Sequence, residues 1–256
     1  MTILHALILG LIEGISEFLP ISSTGHLILA SQVLGVSQDE FTKSFEIIIQ
    51  LGAILSVVAL YWRSFLNVAL LKRLVVAFIP TGIIGLALYQ VIKTYLIGNE
   101  TVVLWALFLG GVVIIAFELM TRHQPSKEHL SPEHISYKKS FLIGLFQALA
   151  IIPGTSRSAA TIIGGLAMGL PRTTIVEFSF LLAVPTMLAA TGLDLLKNAS
   201  SFSASQAGVL SVGFVVSFIV ALLSIKFLLK FVRNHSFIAF GVYRIALALL
   251  FWVVFF

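Results

Sequence analysis

No cysteine occurs in the 256 residues, so disulfides and thiolate metal sites are excluded. Charge is almost as scarce. Asp, Glu, Lys and Arg make up 11% of the chain, against about 25% in an ordinary soluble domain. Water cannot solvate so apolar a surface. With 59% hydrophobic residues and a mean hydropathy of +1.07, lipid must be the solvent for most of it. A basic cluster interleaved with exposed aromatics is also missing, so the net charge of +5 does not signal nucleic acid. The first residues lack the marks of a cleaved signal. Met1 to Leu11 carries no Lys or Arg, no small-residue cleavage site follows, and Glu13 and Glu17 interrupt the run. The segment is expected to remain in the mature protein.

What is present is apolar sequence from end to end. A spanning helix needs about 20 apolar residues, and six segments reach that length: about 44–62, 70–91, 101–120, 174–193, 207–230 and 236–256. Two further regions are as apolar but broken. Residues 3–35 are split by Phe18-Leu19-Pro20-Ile21-Ser22-Ser23-Thr24-Gly25, and 140–170 by Ile152-Pro153-Gly154-Thr155-Ser156-Arg157-Ser158. Pro and Gly stop a helix, and each remaining half is too short to cross. Two re-entrant hairpins, dipping in and returning, fit these regions. Irregular backbone at that depth requires protein or a wet cavity around it.

The two halves resemble each other. Gly10-Leu11-Ile12-Glu13 aligns with Gly144-Leu145-Phe146-Gln147; with one residue deleted, Pro20 aligns with Pro153 and Ser23 with Ser156; Phe45-Glu46-Ile47 aligns with Val176-Glu177-Phe178. Each half is then one re-entrant hairpin plus three spans, and an odd number of spans turns the second copy upside down. The expected architecture is an all-α integral membrane protein, a single membrane domain over 1–256 with an inverted-topology repeat. Repeat one covers 1–121, a cytoplasmic loop 122–139, and repeat two 140–256. A site is expected where the broken helices meet. With the N-terminus on one side, the opposite side holds Arg63, Lys72, Arg73, Arg122, Lys127, Lys138, Lys139, Arg172, Lys226, Lys230 and Arg233, whereas Lys43, Lys93 and Lys197 share the side of the N-terminus. The positive-inside rule puts both termini outside.

Ionisable groups inside apolar segments are costly and are functional candidates by default. Glu13 and Glu17 are four apart and share a helix face. Ser22-Ser23-Thr24-Gly25-His26 reads as a helix start whose free N–H groups point into the membrane centre, and Gly154-Thr155-Ser156-Arg157-Ser158 reads the same way. Two helix N-termini with partial positive charge, plus the planar fork of Arg157, make a site for an anion with more than one phosphate. The repeat diverges there: Gln147 and Ile151 replace Glu13 and Glu17, and Arg157 falls at or beside the position of Thr24. One half supplies acids and a His, the other the Arg, which suits phosphoryl transfer. Glu13 and Glu17 are candidates for a base or for holding Mg²⁺ or Ca²⁺. Ser23 is taken as nucleophile, assisted by His26, three residues on. Direct attack by His26 and attack by metal-activated water are the competing mechanisms. Blander duties weigh against some assignments. The Ser-rich run caps a helix in any case, Glu46 and Glu177 recur in both halves, and Glu118 sits at a span end as an interfacial residue.

Glu13-Gly14-Ile15-Ser16-Glu17-Phe18-Leu19-Pro20-Ile21-Ser22-Ser23-Thr24-Gly25-His26 and Pro153-Gly154-Thr155-Ser156-Arg157-Ser158-Ala159-Ala160-Thr161 look like the two signatures of the bacterial undecaprenyl pyrophosphate phosphatases, the bacitracin-resistance family. The resemblance covers nearly the whole chain, including Glu177 to Pro185 and the span containing Tyr243-Arg244. It implies dephosphorylation of undecaprenyl pyrophosphate at the outer face of the bacterial cytoplasmic membrane, which recycles a carrier lipid for cell-wall polymers. By position it implies a functional set of Glu13, Glu17, Ser23, His26, Ser156, Arg157 and Thr161, with a divalent cation. Ser22, Thr24, Gly154, Thr155 and Ser158 complete the expected phosphate cradle. The partners are then a polyprenyl pyrophosphate lipid and the bilayer, with a homodimer left open as the assembly. The rival reading is a secondary transporter, or a flippase for an anionic lipid, since inverted repeats with broken helices also build transporters.

Overall fold

A computed structural model describes residues 1–37, 39–88, 91, 95–96, 99–121, 130–198 and 206–255. Arg122, His123, Lys127 and His129 of the expected loop, and Lys93, lie outside them. Ten α-helices and no strand occur among the described residues. They are α1 (Ile3–Ser16), α2 (Ser23–Val33), α3 (Glu40–Tyr61), α4 (Val68–Ala87), α5 (Glu100–Thr121), α6 (Tyr137–Ala148), α7 (Arg157–Ala167), α8 (Arg172–Asn198), α9 (Ala207–Asn234) and α10 (Ile238–Phe255). The six long enough and apolar enough to cross a membrane are α3, α4, α5, α8, α9 and α10. These are the six expected spans, shifted by a few residues. The protein is a multi-pass membrane protein.

Local chemistry sets the helix ends. Asp39 accepts from the Thr42 amide at 2.8 Å to start α3, and Asn67 accepts from Ala69 and Leu70 to start α4. The two broken regions are pairs of short helices, α1–α2 and α6–α7. Their second members share one cap. Ser22 and Ser156 each have φ 74° and accept from the amide three residues on, Gly25 and Ala159 respectively. Positive φ is uncommon and strained for a residue with a Cβ, and such outliers cluster at functional sites. Ser22 follows Gly10 by the same twelve residues that separate Ser156 from Gly144, so an alignment without the one-residue deletion sets the two matching caps opposite each other and Arg157 opposite Ser23, beside Thr24.

Those two glycines are also equivalent in packing. A Cβ on Gly10 would meet the Gly213 carbonyl oxygen of α9 at 2.7 Å, and one on Gly144 would collide with the Ala77 carbonyl oxygen of α4. Thus α1 packs on α9 and α6 on α4, while α5 lies against α10 and α3 against α8. The largest apolar core surrounds α8, where Phe18 meets Phe180 edge to face at 5.3 Å.

Two segments outside the site are tied into the packing. Glu118, near the end of its span, is buried against protein, bound by both Arg172 Nη atoms at 2.7 Å and by the Phe237 amide at 3.1 Å. The stretch from 130 to 139 is not a free loop. Ile135 is fully buried, Arg73 Nε donates to its carbonyl at 2.6 Å, and Lys138 and Lys139 belong to the first turn of α6.

Candidate active site

The two strained caps open onto one polar cavity of about 170 Å³. From the first hairpin come Glu17, Ser22, Ser23 and Thr24; from the second, Gly154, Ser156 and Arg157. Gln50 and Met187, from α3 and α8, close it and were not foreseen. The helix ends expected to converge therefore do converge.

Glu17 is the hub. It follows the last residue of α1, and its carboxylate reaches both halves of the protein. Oε2 accepts from the Ser23 hydroxyl at 2.5 Å, and Oε1 accepts from Arg157 Nη2 at 2.9 Å. Arg157 Nη1 donates to the Ser179 carbonyl at 2.7 Å. Thr161, one turn along α7, lies 2.6 Å from the Ser179 hydroxyl. Thr161 thus holds the residue that holds Arg157 and does not line the cavity itself. Ser158 turns away to donate to the Leu19 carbonyl at 2.8 Å, tying one hairpin loop to the other.

His26 is not brought to Ser23, contrary to expectation. Nδ1 lies 2.7 Å from the Ser22 carbonyl and Nε2 2.7 Å from the Tyr243 hydroxyl. Both ring nitrogens are engaged, and the residue is absent from the cavity wall. The neighbour of Ser23 is Glu17 instead. Thr155 also faces elsewhere, into an apolar groove on the other side of its loop.

Glu13 lies one turn before Glu17 and is fully buried. Its charged neighbours are Glu17, Glu46 and Arg157. Among the described residues, the buried side-chain atoms without a hydrogen-bond partner are both oxygens of Glu13, Nε of Arg157 and Oγ of Ser31. Such orphans are rare and call for an explanation. A carboxylate with two free oxygens suits a hard cation, and a free guanidinium N–H suits an anion. No three His, Cys, Asp or Glu side chains converge on a point among the described residues. The donor set therefore fits a cation held by one or two carboxylates with phosphate and water completing its shell, the usual manner for Mg²⁺.

One buried arginine in the last span ties the two hairpin loops together. Arg244, inside α10 and fully buried, has no carboxylate partner among the described residues but donates to five carbonyls. Nη1 reaches Pro20 (3.3 Å) and Thr155 (2.9 Å), Nη2 reaches Gly154 (2.9 Å) and Ala106 (2.9 Å), and Nε reaches Leu107 (3.2 Å). Pro20 belongs to one hairpin loop, Gly154 and Thr155 to the other. Gly154 has φ 92°, and a Cβ there would meet the Val103 carbonyl oxygen of α5 at 2.6 Å, so only glycine lets that loop lie flat. An Arg in an apolar span with no acid nearby was the available signal. Arg244→Lys keeps a charge but cannot span five carbonyls from one ammonium. Buried groups left unsatisfied cost about 1–3 kcal/mol each. The variant should melt several degrees lower in detergent and lose turnover with it; an unchanged melting temperature would show that the loops are held otherwise.

A family model described as bacitracin resistance protein BacA matches residues 6–250. The undecaprenyl-diphosphatase of Sulfurihydrogenibium sp. (strain YO3AOP1) is 55% identical over 253 residues, covering 99% of each chain. That of Aquifex aeolicus (strain VF5) is 50% identical over 252 residues, 98% of each. That of Wolinella succinogenes is 52% identical over 252 residues, 98% of this chain and 97% of its own.

Proposed function

The chain belongs to the bacitracin resistance family, and from that premise we propose that it hydrolyses undecaprenyl pyrophosphate to undecaprenyl phosphate and phosphate. The activity recycles the carrier lipid for peptidoglycan and other cell-wall polymers. One observation within the site carries the reading: Arg157, paired with Glu17 at 2.9 Å and left with an unpartnered Nε, lines a cavity capped by two helix N-termini, and Glu13 lies buried one turn before Glu17, near enough to feel the Arg157 charge. A pyrophosphate with its counter-cation supplies what both lack. Purified protein in detergent, offered undecaprenyl pyrophosphate, should release phosphate; a transporter or flippase would release none.

In this reading the Ser23 hydroxyl attacks the terminal phosphorus while its proton passes to Glu17 Oε2, the atom it already bonds at 2.5 Å. The bond from that phosphorus to the bridging oxygen breaks, and the oxygen leaves on undecaprenyl phosphate. Water then attacks the phosphoserine, the phosphorus–Oγ bond breaks, and Glu17 returns the proton to Ser23. Arg157 and the amides of the two helix starts hold the charge that gathers on the phosphoryl oxygens. Glu13 and Glu17 would hold Mg²⁺ or Ca²⁺, which neutralises phosphate charge when bound. Removal of divalent ions should abolish turnover, and add-back should restore it. His26, bridging Ser22 and Tyr243, positions the α2 start. That both its nitrogens are engaged favours Ser23 as the attacking group.

The two short helix pairs are read as re-entrant hairpins of an inverted repeat. Support comes from the matched caps of Ser22 and Ser156, the matched crossings at Gly10 and Gly144, and the exchange of partners, α1 on α9 against α6 on α4. The eleven-to-three distribution of Lys and Arg puts both termini outside the bacterial cytoplasmic membrane and residues 122–139 inside. The chain has no native cysteine to interfere with labelling. In intact cells an impermeant thiol reagent should label Ser37→Cys and leave Gln124→Cys untouched until the cells are permeabilised. The opposite pattern overturns the orientation.

A further inference from the structure

The loop that forms one wall of the polar cavity has a second face. Ile152 lines the cavity beside Arg157, and it also lines a separate groove of about 520 Å³ bounded by α5, α6 and α7. That volume lies in the range of about 300–1,000 Å³ usual for ligand pockets. The walls are almost entirely apolar. Trp105, Leu109 and Val113 succeed one another on one face of α5, with Phe146 from α6 and Ile163 from α7 opposite. Trp105, Leu109 and Val113 are about half exposed, so the groove opens sideways to lipid. Thr155, a residue of the loop itself, also contributes to this wall.

Resting on the pyrophosphate reading above, we propose that this groove seats the phosphate-proximal isoprene units of the lipid substrate, which reaches the cavity over Ile152. A polar cavity and an apolar groove that share one residue match an amphiphile whose charged head joins directly to a hydrocarbon chain. The groove is too small for the full undecaprenyl tail, so the remaining units extend into the bilayer through the open side. The consequence is a distinction between the two ends of the substrate. Burial of hydrocarbon in the groove adds binding energy for long prenyl chains and nothing for a substrate too short to reach past Ile152.

Leu109→Trp and Ile163→Trp each place an indole in the groove from opposite walls, so a folding defect in one does not remove the test. For each, kcat/KM is measured with undecaprenyl pyrophosphate and with isopentenyl pyrophosphate. The ratio of the two should fall at least tenfold from its wild-type value. An unchanged ratio in both variants overturns the proposal and leaves the groove as ordinary lipid-facing surface. A second measurement does not depend on hydrolysis. Farnesyl pyrophosphate carrying a diazirine on its first isoprene unit, photolysed on the wild-type protein, should mark peptides of α5 and α7. Adducts confined to α1, α3 or α9 overturn the proposal. Adducts in the groove without any phosphate release would uphold it and sink the hydrolytic reading instead.

Discussion

Arg157→Ala should lose on the order of 10³ in turnover while the protein still folds and inserts. Arg157 is the cation of the cavity wall, and its fork is aimed by fixed partners. Nη1 is held on the Ser179 carbonyl at 2.7 Å, Nη2 is on Glu17 at 2.9 Å, and Nε is left without a partner. A planar donor set pre-oriented in this way stabilises phosphoryl oxygens as they gain charge, with little reorganisation at the moment of reaction. Lysine presents a point charge on a flexible stem and cannot keep Ser179, Glu17 and a phosphate together, so Arg157→Lys should recover little. The loss should appear in kcat as well as kcat/KM, because the contact strengthens in the transition state. Retention of more than a tenth of wild-type turnover by Arg157→Ala would remove it from the role of clamp. Thr161→Val offers a graded companion. It frees the Ser179 hydroxyl now 2.6 Å from Thr161 and should lower turnover by less than the arginine change, through disorder of Arg157.

Ser23→Ala should lose more, about 10⁴-fold or beyond, as expected for removal of a covalent nucleophile. Loss of a mere phosphate ligand would cost roughly tenfold to a hundredfold, so magnitude alone separates the two roles. The structure sharpens the assignment of the base. Ser23 donates to Glu17 at 2.5 Å, within the reach a general base requires, whereas His26 is committed to Ser22 and Tyr243. Glu17→Gln should therefore be nearly as damaging as Ser23→Ala, and Tyr243→Phe should cost far less than either. Rapid quench with substrate labelled in the terminal phosphate should trap an adduct stable to acid. An acid-labile, base-stable adduct that persists in Ser23→Ala would transfer the nucleophile to His26.

Much of this was legible along the chain. Composition alone required lipid as solvent, and run length placed the six spans to within a few residues, because crossing a bilayer is a requirement each segment meets by itself. The breaks at Pro20 and Pro153 and the helix starts beside Ser22 and Ser156 were equally local: a proline, a glycine and a capping hydroxyl act on their own neighbours. The two motifs also named most of the cavity wall, since Glu17, Ser23 and Arg157 are costly or conspicuous where they stand.

Other features belonged to the tertiary structure. Glu17, which holds Ser23, also holds Arg157 from 140 positions away in sequence, and nothing local distinguishes it as the hub rather than Glu13. Residue identity matches Pro20 with Pro153, whereas the positive φ shared by Ser22 and Ser156 is a backbone property with no letter of its own. His26 looked like the partner of Ser23 because helical spacing puts them on one face; a tyrosine 217 residues away takes its Nε2 instead. Arg244 passed as one residue of a terminal span, though its guanidinium joins both hairpin loops to α5. Spans, breaks and caps are decided by what a residue does to its near neighbours and by what lipid tolerates, so the sequence by itself determined them. Hydrogen-bond partners at the site are decided by which of several competing donors and acceptors the packed helices bring within about 3 Å, and only the tertiary structure settles that competition.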